Sequence, residues 1–163
     1  MFMNGFLGEI KISHTTTLKT VVINDIDALE ETVQYLNNIG TKCSLLKNQR
    51  PRMYYENQHG VCDYILRIDD CSYDVGFAKQ EDGSYLPVFD SYANILRRKI
   101  GAPMKIAPES IEDYQVLAVS KLLDLYGVHA AKNQLEQDGY GYSSTVSYNV
   151  EDDSYVLEVS ESY

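Results

Sequence analysis

The fold is decided by a stretch close to the C-terminus, which reads YGYSSTVSYNVEDDSYVLEVSE from Tyr140 to Glu161. Apolar and polar side chains alternate over residues 140–149 and again over 155–161, which is the period of a β-strand with one buried face. Asp152 and Asp153 stand between the two segments, where short acidic side chains favour a bend. The stretch therefore predicts an antiparallel hairpin.

Upstream of the hairpin, the pattern changes to that of a helix with defined ends. Apolar residues recur at steps of three and four from Ile26 to Leu36, which gives one apolar face. Asn24 or Asp25 can cap its first turn, and Gly40 follows where a left-handed residue ends many helices. Around this helix, the sequence predicts strands over Ile10–Ile23, Thr41–Lys47, Val61–Asp69, Cys71–Lys79 and Ser84–Phe89, with a polar loop over Asn48–Gly60.

A second long helix is predicted in the C-terminal half. Ser110 can cap it, and apolar residues recur over Ile111–Leu135, passing through Gly127, before Asp138-Gly139 ends the pattern. A short helix is predicted over Ala93–Ile100.

These elements together predict an α+β fold, with a mainly antiparallel sheet and two main helices on one of its faces. The expected topology is a ferredoxin-like split βαβ arrangement with extra hairpins. Residues 1–12 are expected to form an N-terminal extension, and residues 13–163 a single α+β domain.

The charge balance is strongly acidic. The chain of 163 residues has 14 Lys and Arg against 24 Asp and Glu, a net charge of −10. Because binding to phosphate backbones depends on neutralising them with cations, direct nucleic-acid binding is disfavoured and a basic protein partner is favoured. No apolar run approaches the ~20 residues that span a membrane, and three cysteines fit no disulfide framework, so we expect a cytoplasmic protein.

Basic residues gather in two segments that predict solvated loops. The first contains Lys42, Lys47, Arg50 and Arg52, and the second contains Arg97, Arg98, Lys99 and Lys105. RNA binding through Arg97, Arg98 and Lys99 is a further alternative, but the aromatic signature of an RNA-recognition sheet is missing.

The sequence lacks the motifs of common catalysis. It has no phosphate-binding glycine loop and no nucleophile elbow, and it implies no cofactor. His59, Cys62 and Cys71 fall one ligand short of a structural zinc site, so no metal is expected, and Cys62 and Cys71 are predicted to be buried small side chains.

A group of three residues leaves an enzyme or a ligand-binding protein as an alternative. His14, Lys19 and Asp74 are candidates to line a pocket between the sheet and the helices, although nothing in the sequence places them together.

The tyrosines of the hairpin carry the positive functional signal. Tyr140, Tyr142 and Tyr148 share strand parity, and Tyr155 lies across the bend. If the rings face outward, they form an aromatic interaction surface rimmed by Asp152 and Asp153, and tyrosine is enriched at interfaces because it joins apolar area to a polar tip. The alternative is that the rings cover the helices as part of the core.

Several segments resemble a known family. The chain is similar, in the order and spacing of four segments, to the uncharacterised "hypothetical chloroplast reading frame thirty-five" family. These segments are Ser13–Thr20 with Asp25, Tyr73–Phe77, Glu81–Tyr85, and Tyr126–Tyr140 with the closing acidic hairpin. The resemblance covers most of the chain from Ser13 onward. Members occur in plastids, cyanobacteria, other bacteria and phages, so the resemblance implies a bacterial or phage-infected cell or the plastid stroma. Some members are encoded beside an AAA-type ATPase, which implies an accessory role with such a partner.

Three functions follow from these observations. The favoured hypothesis is a non-enzymatic protein-interaction or adaptor module. The first alternative is an acidic inhibitor of the phage type, whose carboxylates occupy a basic nucleic-acid-binding or host-defence protein. The second is a small-ligand-binding protein or enzyme. An exposed strand edge would also permit a homodimer.

Overall fold

The structure is a computed structural model. It describes residues 8–12, 22–55, 59–138, 142–151 and 154–161. The strands are β1 (Gly8–Ile12), β2 (Cys43–Gln49), β3 (Cys62–Ile68), β4 (Asp74–Lys79), β5 (Tyr85–Val88), β6 (Tyr142–Asn149) and β7 (Ser154–Glu161). The helices are α1 (Ile26–Asn38), α2 (Arg97–Ile100), α3 (Ile111–Ala118) and α4 (Ser120–Gln137), with a 3₁₀ turn at Tyr92–Asn94.

The described strands form two antiparallel sheets. One sheet has four strands in the order β2-β3-β4-β5, and the other has three in the order β1-β7-β6. The predicted C-terminal hairpin is confirmed as β6 and β7, with Tyr148 opposite Tyr155. The α+β class is therefore confirmed. The ferredoxin-like arrangement is not, because the strands are divided between two sheets.

Part of the expected N-terminal extension belongs to a sheet. Residues 8–12 form β1, an edge strand that pairs antiparallel with β7. The rest of the strand predicted over Ile10–Ile23 lies mostly outside the described residues, except that the Ile23 carbonyl accepts the Tyr85 N–H at 2.7 Å.

Local capping sets the ends of α1 as the sequence predicts. The Asp25 carboxylate accepts the Ala28 N–H at 3.0 Å, and Gly40 has a φ of +101°, which a residue with a Cβ rarely adopts. Ser110 likewise caps α3, since its hydroxyl accepts the Asp113 N–H at 3.0 Å.

The second long helix is broken where the sequence predicts continuity. The Leu117 carbonyl accepts the Ala102 N–H at 2.9 Å, so the connector between α2 and α3 satisfies a group that a continuing helix would use. Gly101 passes so close that a Cβ on it would lie 2.4 Å from the same carbonyl oxygen. The break falls at Val119, and α4 then runs through Gly127 as expected.

One cluster of buried residues draws on both sheets and on the helices. Tyr126 of α4 is almost fully buried, and its hydroxyl accepts the N–H groups of Asn24 and Asp25 at 2.9 and 3.0 Å. This contact ties the middle of α4 to the start of α1. Among the described residues, none of the helices combines the length and apolar character that crossing a membrane requires.

Candidate functional site

The candidate site begins with the loop after β2, which lies against the four-stranded sheet. Pro51 of this loop is buried. A Cβ built on Gly76 of β4 would lie 3.1 Å from the Cγ of Pro51 and 2.7 Å from the sulfur of Cys62. Glycine at position 76 therefore permits the loop to pack directly on the strand.

A buried carboxylate holds this loop in place. The side chain of Asp74 is fully buried and accepts hydrogen bonds from the backbone N–H, Nε and Nη2 of Arg52 and from the Nε and Nη2 of Arg67. In return, the Asp74 N–H donates to the Arg52 carbonyl at 3.0 Å, and Arg52 Nη2 also donates to the Cys71 carbonyl at 2.9 Å. The loop is thus fixed to the sheet through both its backbone and its side chain.

The electrostatics of Asp74 favour a structural role. Burial raises the pKa of this carboxyl, but the hydrogen bonds from Arg67 and Arg52 outweigh burial and hold the pKa below its ordinary value. A carboxylate in this state is a poor general base, and its oxygens are already occupied. Asp74 does not line the pocket for which the sequence proposed it. His14 and Lys19, its two predicted companions, lie outside the described residues.

Two tyrosines that follow this anchor and a third at the start of the 3₁₀ turn form an exposed cluster. Tyr54 contacts Tyr55 and Tyr92 edge-on, with ring centroids 4.9 and 5.0 Å apart. The three residues are 56 %, 69 % and 55 % exposed, respectively. We call Tyr54, Tyr55 and Tyr92 the tyrosine patch.

Asp90 joins the two segments that carry the tyrosine patch. One of its carboxylate oxygens accepts the Tyr54 N–H at 3.0 Å, and the other accepts the Tyr92 N–H at 2.9 Å. A shallow groove of about 380 Å³ is lined by Asp90 and the three rings. Tyr73 is buried nearby, and burial together with the negative charge of Asp90 raises the pKa of its phenol. The patch is therefore a fixed aromatic surface with a carboxylate in its groove.

The tyrosines of the C-terminal hairpin have a different environment. Tyr155 is 5 % exposed and packs edge-on against Tyr35 of α1, with ring centroids 5.9 Å apart. The prediction that Tyr155 belongs to an exposed surface is therefore wrong, because this face of the strand is turned towards the helices. Tyr148 is 43 % exposed, and its ring centroid lies 5.2 Å from that of Tyr155.

The remaining predicted residues of the hairpin surface are not described in the same detail. Tyr142 is the first residue of β6, opposite Glu161, and only its backbone position is described. Tyr140, Asp152 and Asp153 lie outside the described residues, so the expected acidic rim stays a prediction.

A cleft of about 500 Å³ opens beside Tyr148 and Tyr155. Its walls come from the end of α1, the connector after α2, the start of α4 and the β6–β7 hairpin. Arg97 lies in its wall and is buried, with Nε donating to the Ala102 carbonyl and Nη2 to the carbonyls of Pro103 and Ile106. Arg97 therefore cannot belong to a solvated basic loop or to an exposed RNA-binding surface.

Two further groups have a structural explanation. Cys43, Cys62 and Cys71 are free and buried, which confirms the prediction for Cys62 and Cys71. His59 Nδ1 lies 3.8 Å from the Cys62 sulfur. In the part of the chain that the structure describes, no three His, Cys, Asp or Glu side chains are grouped in a way that could hold a metal ion.

A buried histidine lies between α1 and α4. His129 packs edge-on against Tyr35, with ring centroids 5.8 Å apart. Neither of its ring nitrogens has a hydrogen-bond partner in the described structure. Burial lowers the pKa of His129; Glu31 opposes this shift and Lys132 adds to it.

Sequence reasoning missed the tyrosine patch, because Tyr54 and Tyr55 fall in a segment predicted only as a polar loop. Two adjacent tyrosines in a loop beside Pro51 were the available signal, since loop residues of this size need either burial or a partner. Tyr92 is distant in sequence, and no local pattern links it to Tyr54.

Comparison of the chain with protein-family models, curated proteins and solved structures gives no match. The resemblance to the chloroplast-reading-frame family therefore stays a prediction.

Proposed function

We propose that this protein is a non-enzymatic protein-interaction module and that its contact surface is the tyrosine patch. The observation that supports this proposal is an exposed cluster in which the Tyr54 ring contacts the rings of both Tyr55 and Tyr92. Tyr54 and Tyr55 lie on the loop that the buried Asp74 carboxylate anchors. Tyrosine is enriched in the residues that dominate binding energy at protein interfaces.

The anchoring of the patch favours binding because it reduces the entropy lost on association. The Asp74 cluster fixes the loop at Arg52, two residues before Tyr54, and Asp90 fixes the backbone of Tyr54 and Tyr92. Each tyrosine has only two rotatable side-chain bonds, and rings that already touch lose little further freedom.

The charge of the protein favours a basic partner. The net charge of −10 attracts cationic surfaces at long range, and the Asp90 carboxylate lies in the groove between the rings. Each Asp90 oxygen accepts one backbone N–H and has capacity for another donor. We infer that a lysine or arginine of the partner contacts this groove. A basic host protein or the basic face of an AAA-type ATPase would both meet this requirement.

Site-specific photo-crosslinking tests the proposal. The photoreactive residue p-benzoylphenylalanine is placed at Tyr55 or, as the control, at Ile111 of α3, which is 82 % exposed but lies outside the patch. The two proteins are irradiated in cells that naturally contain this chain. We expect a discrete adduct from position 55 that is absent from position 111 and is reduced at least threefold by Tyr92→Ala.

Two outcomes would overturn the proposal. One is equal labelling from positions 55 and 111, which would indicate chance collisions. The other is no adduct at position 55 while circular dichroism shows the protein to be folded.

A further inference from the structure

We propose that the cleft beside Tyr148 is a second, separate binding site, which takes a small ligand made of a flat ring with an anionic group. A nucleoside monophosphate and an aromatic carboxylate share this chemistry. The inference does not depend on the tyrosine patch, which lies on different loops.

The dimensions of the cleft suit such a ligand. Its volume of about 500 Å³ falls in the range of pockets for small molecules, which is roughly 300–1,000 Å³. Residues of α1, α2, α4 and the β6–β7 hairpin line it, so a bound molecule would contact several sides at once.

Apolar and aromatic side chains on the cleft offer a place for the ring. Ile39, Met104 and Tyr148 are among the large apolar or aromatic side chains that remain about half exposed, and all three line this cleft. The Tyr148 ring contacts Tyr155, which in turn contacts Tyr35, so the aromatic wall is supported from the core. A flat ring placed against Tyr148 would cover apolar surface that otherwise faces water.

The charges that line the cleft are opposite in sign to the charge of the protein. Among the described lining residues, Arg97, Arg98 and Lys121 carry positive charge and Asp124 carries negative charge, a local balance of +2 on a chain of net charge −10. A basic cleft on an acidic protein concentrates its positive potential locally and favours an anion there.

The three cations have different roles. Arg97 is buried, and three carbonyls hold its guanidinium, so it fixes the connector and contributes positive potential from the wall. Arg98 is exposed and makes one long contact of 3.3 Å to the Ala93 carbonyl, and Lys121 is half-buried at the first turn of α4. Arg98 and Lys121 are therefore the side chains available to bind the anionic group.

Titration of the protein with matched small molecules tests this inference. Adenosine monophosphate and 4-hydroxyphenylacetate each carry a ring and an anion, whereas adenosine has only the ring and inorganic phosphate only the anion. Binding is followed by NMR chemical shifts of the protein amides. We expect saturable binding of at least one of the first two compounds, with shifts at the cleft, and at least tenfold weaker binding of adenosine and of phosphate. The compound that binds more tightly identifies which source of the shared chemistry the cleft prefers.

Variants then locate the site. Lys121→Gln is expected to weaken binding of the preferred compound about tenfold, the usual effect of losing one charge-assisted hydrogen bond. Lys79→Gln, at an exposed position on β4, is the matched control and should leave binding within twofold. No saturable binding of either ring-bearing anion overturns the inference, as does equal binding of adenosine or an equal loss in both variants. The comparison requires that the melting temperature of Lys121→Gln lie within 2 °C of that of the unsubstituted protein. If Lys121→Gln is less stable than this, Arg98→Gln is used in its place.

Discussion

Asp74→Asn should destabilise both the fold and the loop that carries Tyr54 and Tyr55. It keeps the size of the side chain but removes the negative charge that Arg52 and Arg67 contact at 2.9 and 3.0 Å. An amide also cannot accept hydrogen bonds through its nitrogen, so donors that now point at one carboxylate oxygen lose their acceptor.

The magnitude follows from the burial of the three groups. Asp74 is fully buried, but the side chains of Arg52 and Arg67 are 42 % and 34 % exposed, so water can reach both guanidinium groups. Breaking a fully buried ion pair costs about 3–5 kcal/mol, and partial hydration of the arginines reduces this, so we expect the free energy of unfolding to fall by about 2–3 kcal/mol.

Urea unfolding at pH 7, followed by circular dichroism, measures this effect. Glu81→Gln removes one negative charge at an exposed turn and is the control, with an expected change within about 0.5 kcal/mol. Because the folded-state pKa of Asp74 is depressed, its contribution is complete above the unfolded-state pKa near 3.8 and is lost as pH falls below that value. The acid limb of the stability profile should therefore flatten in Asp74→Asn. A variant as stable as the unsubstituted protein, with an unchanged acid limb, would refute the structural role assigned to this carboxylate.

Three further predictions concern other buried groups. Gly76→Ala should lower the free energy of unfolding by about 1–3 kcal/mol in urea, because the new Cβ collides with Pro51 and Cys62; stability unchanged by the substitution would contradict the packing of the loop on β4. Because the folded-state pKa of His129 is depressed, its contribution to stability is complete above the unfolded-state pKa of 6.5 and decreases as pH falls from that value towards the folded-state pKa. His129→Phe should remove this pH dependence from melting temperatures measured between pH 5 and 7.5. A pH dependence that persists in the variant would assign it to another group. Burial, with a smaller contribution from Asp69, raises the pKa of Cys43 to about 11. At pH 8 the thiolate fraction of Cys43 should therefore be about a hundredfold below that of an unshifted thiol, and the native protein should resist iodoacetamide. Rapid labelling of Cys43, detected by peptide mass spectrometry, would contradict this prediction.

Features set by neighbouring residues could be predicted from the sequence. Asp25 caps α1, and Gly40 ends it at positive φ, because both effects act within one helical turn. The C-terminal hairpin follows from two segments of largely alternating apolar and polar side chains on either side of an acidic bend. The helix ends and the hairpin turn are each determined by residues only a few positions away in the sequence.

Features set by distant residues could not be predicted. The break between α3 and α4 depends on Ala102 reaching the Leu117 carbonyl, which the helical period does not encode. Alternation placed Tyr148 and Tyr155 on a common face but could not say whether that face meets water or Tyr35.

The candidate site could not be predicted either, because it also depends on contacts between residues that are distant in the sequence. Tyr54 and Tyr92 are brought together by backbone hydrogen bonds to Asp90, and Asp74 reaches the loop through Arg52. Tyr54 is 36 residues from Asp90, and Arg52 is 22 residues from Asp74, so neither contact leaves a periodic signal in the sequence. The sequence singles out Asp74 as a candidate pocket residue but does not indicate its two arginine partners, and these partners make it a structural anchor instead.

The most direct test of the central claim is the affinity of the crosslinked partner, once identified and purified, for two tyrosine variants of similar exposure. Tyr54→Ala removes the ring at the centre of the tyrosine patch, and Tyr148→Ala removes a ring outside it. Isothermal titration calorimetry should show the Kd raised about thirtyfold by Tyr54→Ala, as expected for an interface residue worth 2 kcal/mol, and changed less than twofold by Tyr148→Ala. Equal affinities for Tyr54→Ala and the unsubstituted protein would contradict the claim that this patch is where the protein meets its partner.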